Sequence, residues 1–189
     1  IMANQTFAMS YPEKRTFFLE GSELLKSDTQ TVYTRSITNP LGAIKYINQG
    51  ENNTVYLLQA TDTDSPYLAA GQYRSYKGNA GKSKVTIGRL KRNLGNKSHV
   101  GLIATNRDYQ VGGSGSVVEF DSLINFMDDY ILDLNYARSD TQEGNVNFIE
   151  TDDTFAGRTY AMDGESFSGI AKNFRLRWAV DKANAGIRF

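Results

Sequence analysis

Apolar residues recur at every second position over several stretches of the chain, with polar residues between them. Tyr130, Leu132, Leu134 and Tyr136 lie on one side of such a stretch, and Asp133, Asn135 and Ser139 on the other. Phe174, Leu176, Trp178 and Val180 alternate with Arg175, Arg177 and Asp181, and Val118, Phe120, Ile124 and Phe126 with Glu119, Asp121 and Asn125. A period of two is that of a strand with unlike faces. Lys84 to Arg107 reads as two strands, Val85 to Arg92 and His99 to Arg107, joined by a turn at Gly95-Asn96-Lys97, where Gly and Asn tolerate positive φ. Each arm is longer than a common globular strand and close to what crosses a bilayer at a tilt.

The same reading extends along the chain. Residues 1–30 are expected to be irregular, with a polar turn at Pro12 to Arg15, a buried anchor at Phe17, Phe18 and Leu19, and one helical turn at Ser22 to Lys26. A first strand is expected over Thr31 to Ile37, from its β-forming residues. Hairpins are expected over Leu41 to Asn48 with Thr54 to Thr61, Val117 to Phe126 with Tyr130 to Arg138, and Phe167 to Ala171 with Phe174 to Asp181, the last turning near Lys172 and Asn173. Asp62 to Ser83, Asp108 to Gly115 and Asp140 to Glu165 are read as loops. About nine strands result, and the connections alternate between tight turns and long loops, as in outer-membrane barrels. The short link between Ile37 and Leu41 interrupts that alternation.

Composition narrows the classes. With 40% hydrophobic and 12% aromatic residues the chain is too rich in core formers to be disordered. A formal net charge of zero argues against a nucleic-acid binder. The absence of cysteine excludes disulfides and thiolate metal sites. No apolar run is long enough for a transmembrane helix, which leaves barrel strands open because they alternate. No export signal is visible, and the sequence reads as an internal part of a longer chain.

No motif supplies catalytic chemistry. Gly78 to Ser83 has two residues between its glycines where a phosphate-binding loop needs four. Neither Gly112 to Ser116 nor Gly164 to Ser168 completes a hydrolase elbow. His99 is the sole histidine and reads as a surface or interfacial residue. Acidic runs at Thr61 to Asp64 and Glu150 to Asp153 lack the EF-hand spacing, so no catalytic residue, cofactor or metal ligand is expected. If the apolar faces meet lipid, Glu119, Asp121, Asp133, Arg175 and Arg177 face inward, as a wall-bracing network or the lining of a polar path. A soluble antiparallel sheet alternates too, and periodicity leaves both arrangements open.

Tyr11 to Leu25, with the run YPEKRTFFLEG, resembles the FPEKRPFFLEG signature of a bacterial family known as domain of unknown function 5916. Thr31 to Ile37, Gly42 to Lys45, Ile87 to Arg92, Gly95-Asn96 and Gly101 to Arg107 resemble the same family in the same order, and Tyr136 to Ser139 fits further on. Thr16 departs from the family's proline, and the link before Leu41 is shortened. The resemblance implies an all-β, antiparallel up-and-down meander forming a fragment of an outer-membrane β-barrel, over residues 31–189, with residues 1–30 as an anchor or plug. It also implies a bacterial outer-membrane location, contact with outer-membrane lipid, and a carbohydrate-binding module upstream through which a glycan is bound. The expected function is non-enzymatic: binding or passage of carbohydrate-related or other small ligands. A soluble all-β binding module and a cell-surface hydrolase are the alternatives.

Overall fold

The computed structural model describes residues 11–70, 75–127, 129–146, 153–155, 157–180 and 183–188. The chain is built on one large antiparallel sheet. Its strands are β1 (Pro40–Gln49), β2 (Asn53–Asp62), β5 (Ser83–Gly95), β6 (Ser98–Tyr109), β7 (Ser114–Phe126), β8 (Tyr130–Gln142), β11 (Ser166–Val180) and β12 (Ala183–Arg188), paired in that order. Two small hairpins sit in the connections: β3 (Pro66–Ala70) with β4 (Ser75–Asn79), and β9 (Thr154–Phe155) with β10 (Arg158–Thr159). The sheet is a meander with edges at β1 and β12; among the described residues no ladder joins those edges into a closed barrel.

Turn chemistry explains the β5–β6 hairpin. Gly95, Asn96 and Lys97 all have positive φ (82°, 44° and 57°), so β5 reverses into β6 within a few residues. The β1–β2, β5–β6 and β7–β8 turns lie at one end of the sheet. The β2–β5, β6–β7 and β8–β11 connections lie at the other, where both small hairpins also sit.

Several expectations are corrected. Thr31 to Ile37 is not a strand; its β-branched run ends in a 3-10 turn at Thr34–Ser36. Phe167 to Ala171 and Phe174 to Asp181 are not a hairpin but lie largely within the single 15-residue strand β11, paired with β8 from Ser166 to Trp178. Lys172 and Asn173 do not turn because each finds a partner on its own face. Lys172 stands over the Tyr136 ring at 5.9 Å, and Asn173 donates to Asp28 at 3.1 Å. The Asp62–Ser83 connection contains β3 and β4, and residues 110–113 alone separate β6 from β7.

A strap formed by residues 11–39 crosses one face of the sheet. It contains the short helix α1 (Thr16–Leu19) and 3-10 turns at Ser22–Leu25 and Thr34–Ser36. Its apolar anchors Phe18, Leu25 and Ile37 pack on Tyr56, Leu58, Ala60, Val85 and Ile87 of β2 and β5. Phe17 and Leu19, expected to be buried with Phe18, are 39% and 43% exposed.

Pro12 to Arg15 is a lock rather than a solvated turn. Arg15 donates to both Glu13 oxygens (2.9 and 2.8 Å), to the Thr34 carbonyl at 3.1 Å and to the Ile37 carbonyl, and its guanidinium covers the Phe18 ring at 4.3 Å. Thr34 Oγ1 adds a bond to Glu13 at 2.8 Å. The strap then turns into β1 at a corner where Asp62, fully buried, accepts from the Thr38 and Asn39 amides at 3.0 and 2.8 Å. This corner accounts for the short link before β1.

The Arg15 hydrogen bonds hold the Glu13 carboxyl down at about 2, below its ordinary 4.5. A depressed carboxyl contributes stability above its unfolded pKa and loses it as pH falls through the folded one. The stability difference between the natural chain and Glu13→Gln is therefore expected to be full above pH 4.5 and to vanish as pH falls towards about 2. Hydrogen exchange of the strap amides measures it.

Candidate functional site

The two faces of the sheet differ: one is left uncovered and is rich in exposed apolar side chains, the other lies under the strap. The uncovered face carries Ile44, Tyr46, Leu57, Leu90, Leu102, Val118, Phe120, Tyr136, Phe174 and Trp178, exposed by 38% to 71%. The strap-covered face carries the ionic groups. Glu119 is fully buried and Arg89 is 2% exposed. Burying charge in this way requires partners, and each of these two has them.

Arg89 extends from β5 towards Asp121 of β7 in a two-pronged pair, with Nη2 to Oδ2 at 2.9 Å. Gly101, on β6 between them, makes the passage possible, because a Cβ there would lie 2.6 Å from both guanidinium nitrogens. His99 Nε2 lies 3.4 Å from the second Asp121 oxygen. On β7, Glu119 accepts from Ser27 Oγ at 3.0 Å, from Thr31 Oγ1 and from Asn135 Nδ2, while Thr29 donates to Asn135 Oδ1. The strap is thereby stitched to the polar half of the sheet by hydroxyls, as it is to the apolar half by Phe18, Leu25 and Ile37.

Further across, Asp133 of β8 faces Arg175 of β11 at 3.3 Å, and Arg175 reaches Asp28 of the strap at 3.4 Å. Between strap and sheet these groups leave a cavity of about 270 Å³, lined by Lys26, Asp28, His99, Asp121, Asp133 and Asn135 among others. A cavity with carboxylates, cations and an amide on its wall offers donors and acceptors in several directions.

Of the five residues expected to face inward, Asp121 and Asp133 line this cavity and Arg175 braces it. Glu119 sits beneath the strap, and Arg177 stands exposed two residues on from Arg175. Arg89, His99, Asp28 and Asn135 complete the arrangement and were not among them. The polar face is also not polar throughout, since on β2 and β5 it carries Tyr56, Leu58, Ala60, Val85 and Ile87. On β5 neither file is uniform, because Arg89 and Lys91 follow Val85 and Ile87 on one face while Arg92 follows Leu90 on the other, so the inward direction of Arg89 was not marked by alternation.

No family model, curated protein or solved structure matches the chain.

Proposed function

We propose that the sheet is part of the wall of an outer-membrane β-barrel, its apolar face against lipid and its ionic face turned inward under the strap. The carrying observation is the position of the apolar band. Strand register links Tyr46, Leu57, Gly88, Ala104, Val118, Arg138 and Ile170 into one row. The large apolar residues do not follow that row. They begin at Ile44 and Tyr46 on β1, pass through Leu57, Leu90, Leu102 and Phe120, and reach Phe174, Leu176 and Trp178 on β11. Ile170 alone stands apart, and Arg138 and Lys172 mark the band's margin.

The band thus slips by about one residue per strand, which at 3.3 Å per residue and 4.8 Å between strands corresponds to about 35°. That is the tilt of strands in a barrel relative to its axis. On β7, Val118 to Phe126 spans about 27 Å of strand, or about 22 Å along an axis so tilted, near the roughly 25 Å apolar height of outer-membrane barrels. At the tight-turn end Phe126, Tyr130 and Trp178 stack with ring centroids 5.4 and 6.3 Å apart, the kind of aromatic row that sits at a membrane interface. Turns of two or three residues at one end and the long β2–β5 and β8–β11 connections at the other suit the same architecture, the four-residue β6–β7 link excepted, and the resemblance of Tyr11 to Leu25 to an outer-membrane family points the same way.

Inside, the cavity chemistry suits a small polyhydroxylated ligand. Asp121 and Asp133, each held by an arginine, can accept from hydroxyls, while Lys26 and Asn135 can donate. At about 270 Å³ the space is slightly smaller than pockets for drug-sized ligands, and matches a single sugar ring better than a chain. The expected role is non-enzymatic binding or passage of such a ligand.

Trp178 is the single tryptophan and lies on the uncovered face, so it reports on the proposed setting. With the full chain refolded into phosphatidylcholine vesicles, its emission is expected to be quenched by brominated lipid, most strongly by bromine near the headgroups. A detergent-free, cooperatively folded monomer with unquenched Trp178 would overturn the reading.

A further inference from the structure

At the long-loop end of the sheet, the chain beyond the end of β8 at Gln142 remains beside the segment that leads into β11. The Glu143 amide donates to the Glu165 carbonyl at 2.9 Å, and Asn145 bridges Asp163. This register places Glu143 directly opposite Glu165, with Asp163 two residues away on the same face. Their carboxylate oxygens lie within 4.8 Å of one another. Like charges directly opposed across a ladder are destabilising, and among the described residues the charged neighbours of Glu143 are the acidic Glu165 and Asp163.

A second observation distinguishes this cluster from an ordinary acidic surface. Glu143 is 8% exposed, and its Oε2 is buried without a hydrogen-bond partner among the described residues. Glu165 Oε2 is in the same condition. The other Glu143 oxygen is reached by the Tyr67 hydroxyl at 3.4 Å, and Asp163 by Thr159 Oγ1 at 2.6 Å. Buried acceptors left open in this way cost stability unless something positive fills the space between them.

The backbone cannot easily move apart to relieve the repulsion. A Cβ on Gly113 would lie 2.5 Å from the Gly144 nitrogen, and one on Gly144 would lie 2.5 Å from the Gly112 carbonyl oxygen. The β6–β7 connection is therefore packed directly onto the strand end that carries Glu143.

We propose that Glu143, Asp163 and Glu165 bind a hard divalent cation of calcium's size. Calcium takes oxygen ligands at 2.3–2.6 Å in irregular geometry, so oxygens on opposite sides of the ion are separated by about 5 Å, which accommodates the cluster. Magnesium demands a tighter octahedron and retains its waters, which a site with buried Glu143 and a buried Glu165 oxygen suits less well. The ion ties Glu143, at the end of β8, to Asp163 and Glu165, just before β11.

The test is equilibrium dialysis of the full refolded chain with calcium chloride, with magnesium as competitor, after chelator treatment. One calcium per chain is expected, with magnesium displacing it only in large excess. Glu143→Gln and Glu165→Gln are each expected to weaken retention at least about tenfold, since ligand charge sets calcium affinity, while Asp140→Asn, which removes the exposed partner of Arg138, leaves it unchanged. Should a glutamate variant fail to refold, Asp163→Asn, at a more exposed position, must still lose the ion. No retained calcium, as two glutamates sharing a proton would give, overturns the proposal. So does retention indifferent to all three substitutions.

Discussion

Asp121→Ala is expected to destabilise the fold by about 3–5 kcal/mol, the effect of stranding a buried charge. Arg89 is 2% exposed and its guanidinium has been admitted to the sheet interior by the absence of a side chain at Gly101. Removing Asp121 takes away both hydrogen-bonding prongs and leaves His99, 3.4 Å from the lost carboxylate, beside the vacated space. His99 is a poor substitute because it carries no negative charge.

The effect belongs to the unpaired charge and not to the pair. Arg89→Met combined with Asp121→Leu is therefore expected to recover most of the loss, as apolar replacement of buried ion pairs commonly does. Urea titrations in detergent check this: the midpoint falls in Asp121→Ala with an unchanged slope, and returns in the double variant. If the single variant loses less than about 1 kcal/mol, the range of an exposed pair, Arg89 has found water, and the enclosed interior described above is wrong.

The hairpins that sequence patterning anticipates are those with marked alternation or a turn that requires special residues. β5–β6 has Gly95 and Asn96, and β7–β8 has largely apolar and largely polar files on either side of Met127, itself at φ 50°, broken at Ser122, Leu123 and Ile131. What patterning misses depends on distant partners. Thr31 to Ile37 has the composition of a strand, but Arg15 binds the Thr34 and Ile37 carbonyls and Thr31 bonds to Glu119. Those groups are consequently committed to strap contacts instead of a ladder.

Lys172 and Asn173 look like a turn because two adjacent polar residues interrupt an apolar file, yet in a strand neighbours face opposite ways and each can be satisfied separately. The ionic residues of β7, β8 and β11 were legible from alternation, whereas Arg89 was not, since its need for Asp121 appears only when Gly101 is placed between them. The Glu143, Asp163 and Glu165 cluster was hidden for a related reason: it is assembled by the pairing of β8 with β11, with no spacing in the sequence to announce it.

Phe120→Arg separates lipid from water as the neighbour of the uncovered face. Phe120 is 42% exposed, with Leu102 and Tyr136 beside it in register. Facing water, the change falls within about 0.5 kcal/mol, as surface substitutions do, and solubility rises. Facing the bilayer midplane, it costs about 2–4 kcal/mol, against about 0–1 near the interfaces. The tilt of the band makes the comparison sharper than one position allows. Leu57 and Ile170 belong to the same perpendicular row of the sheet, so an untilted sheet would place them at the same depth. With a slip of about one residue per strand, Leu57 lies inside the band and Ile170 just beyond its margin, opposite Arg138. Leu57→Arg is then expected to approach the midplane cost and Ile170→Arg to remain near the interfacial one, measured as unfolding midpoints in vesicles. Equal costs at the two positions would remove the tilt, and negligible cost at Phe120 would remove the membrane.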